Sequence, residues 1–353
     1  MALPSIKIAD LNLTVPIIQG GMGIGISLAN LAGAVAKSGG LGIISSAQIG
    51  FKLPEFERNP LKANLKAIGL ELKKARAIAQ DGLVGFNVMA STFHYERYIK
   101  EIVAQKADVI ISGGGLPTQL PEFTKGSTTK IAPIVSSQKA CKVVLNYWHK
   151  KYQTTADFIV VEGPKAGGHL GFKVPQLTDE NFDMDQELVK IIAETQKFAE
   201  LYGHEIPVFF GGGVYTHEDI EHYLALGCRG VQVATRFVVT AECDAPQAFK
   251  DAYLMAEEKD LQIIKSPVGM PARAIDNYFT QKSAAGRIPI EKCRNCLSHS
   301  HCDRKTIPYC ISEHLLKSAG KNPLQGLIFA GATVHRLKEM TTVPQLMQEL
   351  VGK

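Results

Sequence analysis

No stretch of the chain approaches the ~20 uninterrupted apolar residues that a bilayer-spanning helix requires, so no membrane association of that kind is expected. Residues 1–5 lack the basic region and apolar run of a secretory signal, and a cytoplasmic protein is the expectation. Charge of one sign is also scarce. Lysines and arginines number 39 against 34 acidic residues, leaving a net +5 spread over 353 positions, so no nucleic-acid surface is expected. Basic clusters such as Lys73, Lys74 and Arg76 read as a solvated helix face. Cysteine is sparse too. Three of the seven (Cys141, Cys228, Cys243) are scattered and four crowd into 293–310, which argues against a disulfide scaffold and for one local cluster.

What the chain does contain is an alternation of apolar, β-branched runs with segments of helical period. The pattern predicts strands at 15–19, 41–45, 83–89, 107–112, 130–136, 157–162, 207–210 and 230–235. Helices are expected between them, near 27–38, 60–80, 95–105, 138–151, 184–202 and 218–226. Eight such units are the number that closes a (β/α)8 or TIM barrel, and runs without strict alternation suit strands covered on both faces. The competing layout is an open doubly wound sheet. Glycines at nearly every strand's carboxyl end favour the barrel, whose loops ring one mouth. Beyond residue 240 the rhythm stops. Residues 1–240 are therefore read as the barrel and 241–353 as a mostly helical appendage, packed on or over it, that carries the cysteine cluster at 293–310.

The most informative stretch follows the sixth strand: Glu162-Gly163-Pro164-Lys165-Ala166-Gly167-Gly168-His169-Leu170-Gly171. Glycines let backbone N–H groups approach a flat or anionic ligand, and His169 then faces whatever they admit. The plain alternative is a loop histidine bonded to its neighbours. Gly211, Gly212 and Gly213 end the seventh strand, and Gln232, Val233, Ala234, Thr235 and Arg236 end the eighth. These ends lie side by side in a barrel, where backbone N–H groups, the start of the next helix and the Thr235 hydroxyl suit a phosphate. Read plainly, the glycines only make tight turns. Across the mouth, Gly20, Gly21 and Met22 end the first strand and Asn87 the third, offering backbone and one amide to a planar heterocycle. A phosphate at one side and a flat ring at the other is the layout expected for flavin mononucleotide (FMN).

Six segments give the chain a resemblance to the nitronate monooxygenase (2-nitropropane dioxygenase) family, which includes the FMN-dependent enoyl-ACP reductases of the second type. They are residues 16–22, 39–44, 85–89, 166–171, 211–213 and 231–237. The resemblance implies a TIM-barrel flavoprotein in which Asn87, Glu162, Gly167, Gly212, Gly213 and Gln232, Val233, Ala234 and Thr235 contact FMN, and in which His169 is the catalytic histidine, with a pKa near neutrality useful for proton transfer. The expected function is oxidation of alkyl nitronates with oxygen. The alternative is reduction of an enoyl thioester by NAD(P)H through FMN. A non-catalytic flavin-binding sensor is the alternative of another class. Two residues depart from the usual pattern: Glu162 stands where nitronate monooxygenases have glutamine, as in the enoyl reductases, and Ala234 stands where the family mostly has glycine. The partner is expected to be a small-molecule substrate.

The cluster Cys293-x2-Cys296-x5-Cys302-x7-Cys310 brings four thiols together in sequence. Four thiolates suit an iron–sulfur cluster or a tetrahedral zinc, with His299 and His301 as substitutes in a zinc site; otherwise they are unliganded.

Overall fold

The computed structural model describes residues 3–179, 181–298, 302–320 and 322–353. The chain opens with a hairpin, β1 (Ile6–Ile8) and β2 (Leu11–Leu13). Eight parallel strands then form one sheet: β3 (Ile17–Gln19), β4 (Gly42–Ser45), β5 (Val84–Met89), β6 (Val109–Gly113), β7 (Lys130–Val135), β8 (Ile159–Glu162), β10 (Val208–Gly211) and β11 (Gly230–Val233). A short strand, β9 (Gly168–His169), lies in the loop after β8. The sheet closes between β3 and β4, where Leu41 N–H donates to Ile17 O at 2.9 Å and Gln19 N–H to Leu41 O at 3.0 Å. An open sheet is thereby excluded, and the expected TIM barrel is found.

Side chains pointing inward from the strands fill the barrel rather than leaving a pore. Ile18, Ile43, Val109, Ile111, Val160, Phe158 and Phe209 form this inner core, and Ile6, Ile8 and Leu13 of the hairpin pack into it. The outward faces of the strands meet the helices in a second, larger core, with Trp148 fully buried among them. Local sequence starts these helices where the pattern predicts. Asn59 accepts from Lys62 N–H ahead of Pro60 at the first position of helix Pro60–Ala79, and Ser137 accepts from Ala140 N–H ahead of helix Gln138–Tyr152.

After residue 240 the expectation of a mostly helical segment is only partly met. Helices Gln247–Met255, Tyr278–Ala285, Ile311–Ser318 and Val343–Leu350 are present. Between the first two lies an antiparallel ribbon, β12 (Leu261–Lys265) and β13 (Pro271–Ile275). β13 also pairs with β9, placing Ala272 opposite His169 and Arg273 opposite Gly168. A two-residue strand carries no alternation to read, so this pairing left no periodic trace in the sequence. No helix among the described residues is long and apolar enough to cross a membrane.

Candidate active site

The carboxyl ends of the barrel strands converge on a cavity of about 280 Å³. It is lined by every residue expected to contact FMN or to act beside it. Gly21 and Met22 follow β3, Asn87 lies on β5, and Glu162, Gly167 and His169 come from β8 and its loop. Gly212 and Gly213 follow β10, and Gln232, Val233, Ala234 and Thr235 run through the end of β11. Some of these glycines serve the protein itself. A Cβ on Gly21 would lie 2.4 Å from Asn87 Cβ, and one on Gly167 would lie 2.5 Å from the Ala330 carbonyl carbon. They give space to neighbouring chain, while Gly212 and Gly213 take φ of +106° and +98°, open to few other residues.

His169 is fixed from the appendage side. Its Nε2 lies 2.7 Å from Ser266 Oγ, and the Ser266 oxygen also accepts from Val268 N–H at 3.3 Å. The Phe329 ring meets the imidazole edge-on at 5.1 Å. Arg273 Nη1 donates to Pro164 O at 2.8 Å and to Ala166 O, and Leu170 N–H donates to Pro271 O at 2.9 Å, so β13 sets the whole glycine loop. The expected near-neutral pKa of His169 is not found. Burial with no charged partner pushes it down to about 4, so the imidazole is neutral across the physiological range.

The anion end also differs in its physics. The helix after β11 is only Thr235–Val238, and the helix after β10, His217–Ala225, is already capped by Thr216 and by the Asp219 carboxylate. The second start is occupied by its own caps, while the first, without a side-chain cap, offers backbone N–H groups but only a single turn of helix behind them. Cationic charge comes instead from Lys165, which lines the cavity beside Gly213. Thr235 Oγ1 accepts from Gly331 N–H at 3.3 Å, tying the appendage to this end. Ser266, Phe329, Gly331 and Lys165 were missed as site residues. The first three lie in irregular stretches whose place depends on β13, and Lys165 stood unused in the glycine loop.

Cys296 lines the same cavity, while all four clustered cysteines ring a second, much smaller hollow. Among the described residues no three His, Cys, Asp or Glu side chains are placed to hold a single metal ion; His299 and His301 lie outside the described residues.

The family model for nitronate monooxygenase matches residues 5–353. The chain belongs to that family. A probable nitronate monooxygenase of Staphylococcus haemolyticus is 26% identical over 82% of this chain and 84% of its own. Among solved structures, FabK from Thermotoga maritima superposes with a TM-score of 0.70 at 22% identity, covering 95% of this chain and 91% of its own. A nitroalkane oxidase from Streptomyces ansochromogenes gives 0.66 at 20% identity, covering 95% and 94%.

Against the nitronate monooxygenase pattern, the two departures have local explanations. The Ala234 methyl is directed at Gly20, where a Cβ would lie only 3.3 Å away, so the missing side chain at Gly20 makes room for the added one. Glu162 sits opposite Gly211 on β10. Part of its surface faces the open cavity, yet burial pushes its pKa up to about 8 against the pull of the Gly171 N–H. The folded protein therefore binds this proton between about pH 4.5 and 8 when the unfolded chain does not, and the associated stability is lost as pH rises through that window. Glu162→Gln should be close to wild type in unfolding midpoint near the lower limit and progressively more stable than wild type toward the upper one. Thermal melts of flavin-free protein across this range check it; a constant difference would place the titration elsewhere.

Ser266→Ala leaves Nε2 of His169 without its partner, at a cost of roughly 1–3 kcal/mol for an unsatisfied buried group. The expected outcome is about a tenfold fall in kcat with little change in KM, restored by Ser266→Thr, which keeps a hydroxyl. Steady-state kinetics of the two variants check it.

Proposed function

We propose that this chain is an FMN-dependent oxidoreductase that oxidises alkyl nitronates with oxygen. The observation that carries the reading is the placement of His169, held by Ser266, in one cavity with Asn87 and with the glycine ends of β10 and β11. The residues fit the cofactor. The cavity extends from the ends of β3 and β5 to those of β10 and β11, with amides at one side and Lys165 with positive-φ glycines at the other. Gly21, Met22, Asn87, Glu162 and Gly167 would hold the ring system. Gly212, Gly213, Ala234 and Thr235 would hold the phosphate, with Gln232 and Val233 between. When bound, FMN supplies the electron-accepting ring that side chains lack.

The chain's own residues bind, orient and shield the substrate. Neutral His169 has one N–H. With the Ser266 hydroxyl donating to Nε2, that N–H is at Nδ1, a donor suited to a nitronate oxygen. Val268, Met270 and Phe329 line the cavity close to this group and exclude water from it. All seven cysteines are unpaired, which suits a cytoplasmic protein, and the partner is a small molecule.

A second reading, NAD(P)H-dependent reduction of an enoyl thioester, is favoured by Glu162 in place of glutamine and by the apolar wall of Met89, Leu297, Ile311 and Leu315, which would accept an acyl chain. Anaerobic mixing separates the two. Loss of the yellow colour with a nitronate and not with NAD(P)H is the expected result; rapid bleaching by NAD(P)H alone, with none by nitronate, would move the assignment to the second reading. A sensor without turnover would leave the colour unchanged with either.

A further inference from the structure

The four clustered cysteines are not used by the chemistry proposed for the cavity, and they do not resemble a chance group. All four line one hollow, whose remaining wall includes apolar Ile290, Leu297 and Ile311 and the cation Arg304, but no carboxylate. The thiols are mutual neighbours. A charge on Cys293 acts on Cys296, Cys302 and Cys310; Cys302 acts on Cys296; and Cys310 acts on Cys302, while Cys296 acts on Cys310. One sulfur already receives a hydrogen bond. Asn295 N–H donates to Cys293 Sγ at 3.3 Å, within a C-x-x-C turn made possible by Asn295 at φ +48°.

We propose that Cys293, Cys296, Cys302 and Cys310 hold an iron–sulfur cluster that forms part of the wall of the active-site cavity. A single zinc ion draws four sulfurs to about 2.3 Å from one point, and no three thiols here are so placed. An inorganic core of several iron and sulfide ions lets the sulfurs stay farther apart, around a hollow. The location gives the cluster a local role. Phe93 N–H donates to Cys296 O at 3.1 Å, Ser298 N–H donates to Ser91 O at 3.1 Å, and Thr92 bridges to Leu297. The cluster therefore anchors the segment that lays Cys296 and Leu297 against the loop after β5, on the substrate side of the cavity. This assignment does not depend on which substrate the cavity takes or on the flavin.

The test is analysis of the full chain purified without oxygen. Iron and acid-labile sulfide in equal amounts, about two or four of each per chain, are expected, with a paramagnetic signal after dithionite reduction. Cys302→Ser should lose iron and signal while keeping a cooperative melt. Should that variant not fold, the iron and sulfide content of the wild type still decides the matter. One zinc per chain would overturn the proposal, as would metal-free protein whose four thiols are all alkylated in the native state.

Discussion

Replacing His169 with alanine is expected to lower nitronate turnover by about 10²- to 10⁴-fold, the usual contribution of a positioned proton-handling group, while flavin remains bound. The two effects separate because the imidazole and the groups proposed to bind the anion come from different strands. His169 hangs on β9, held by Ser266 and Phe329, whereas the groups proposed to bind phosphate end β10 and β11. Removing the ring leaves Gly212, Gly213, Ala234 and Thr235 in place and opens space beside Phe329. Because burial holds the imidazole pKa at about 4, wild-type turnover should also show no acid limb near pH 6.5 attributable to His169. Oxygen consumption over a pH series, with flavin content measured on the same samples, checks both statements. Equal turnover in His169→Ala would show that the imidazole takes no part in the chemistry and would remove it from the proposed site.

The second large effect is expected at Gly212. Its φ of +106° lies outside even the small left-handed region that other residues tolerate, and a Cβ there would meet Gly163 O at 2.9 Å and Ala166 N at 3.0 Å. Alanine therefore forces the loop after β10 away from the loop after β8, at a cost of roughly 1–3 kcal/mol in backbone strain before any clash is counted. Those two loops form adjoining parts of one cavity, so the loss appears twice. Gly212→Ala should lower the unfolding midpoint of flavin-free protein and weaken FMN binding by about 10- to 100-fold, since about 1.4 kcal/mol corresponds to a factor of ten. Thermal melts with and without added FMN separate the terms, because a ligand stabilises the fold in proportion to its occupancy. An FMN-induced shift as large as that of wild type would mean that the anion is held elsewhere.

The extent to which the sequence disclosed this arrangement follows from the range of the interactions involved. Each barrel strand was legible because an apolar β-branched run is a local signal, and its helix because caps such as Asn59-Pro60 are local too. The expected cavity residues came together because strand order in a closed barrel dictates which ends are neighbours. The β12–β13 ribbon was not legible, nor was Ser266 as the partner of His169, since that contact spans 97 positions and rests on a two-residue strand. The pKa of His169 was misjudged for a related reason. Its burial is caused by Ser266, Val268 and Phe329, all supplied from beyond residue 240, so no local pattern around Gly168 could report it. The helix starts expected to attract phosphate turned out to be too short or self-capped, a fact visible in Thr216 and Asp219 once helix His217–Ala225 had been placed.

The most direct test of the central claim is a crystal structure of the protein loaded with FMN. The phosphate is predicted to contact backbone N–H groups among Gly212, Gly213, Ala234 and Thr235, with the ring system between Asn87 and His169. A flavin bound away from His169, or a phosphate held outside the ends of β10 and β11, would contradict the account.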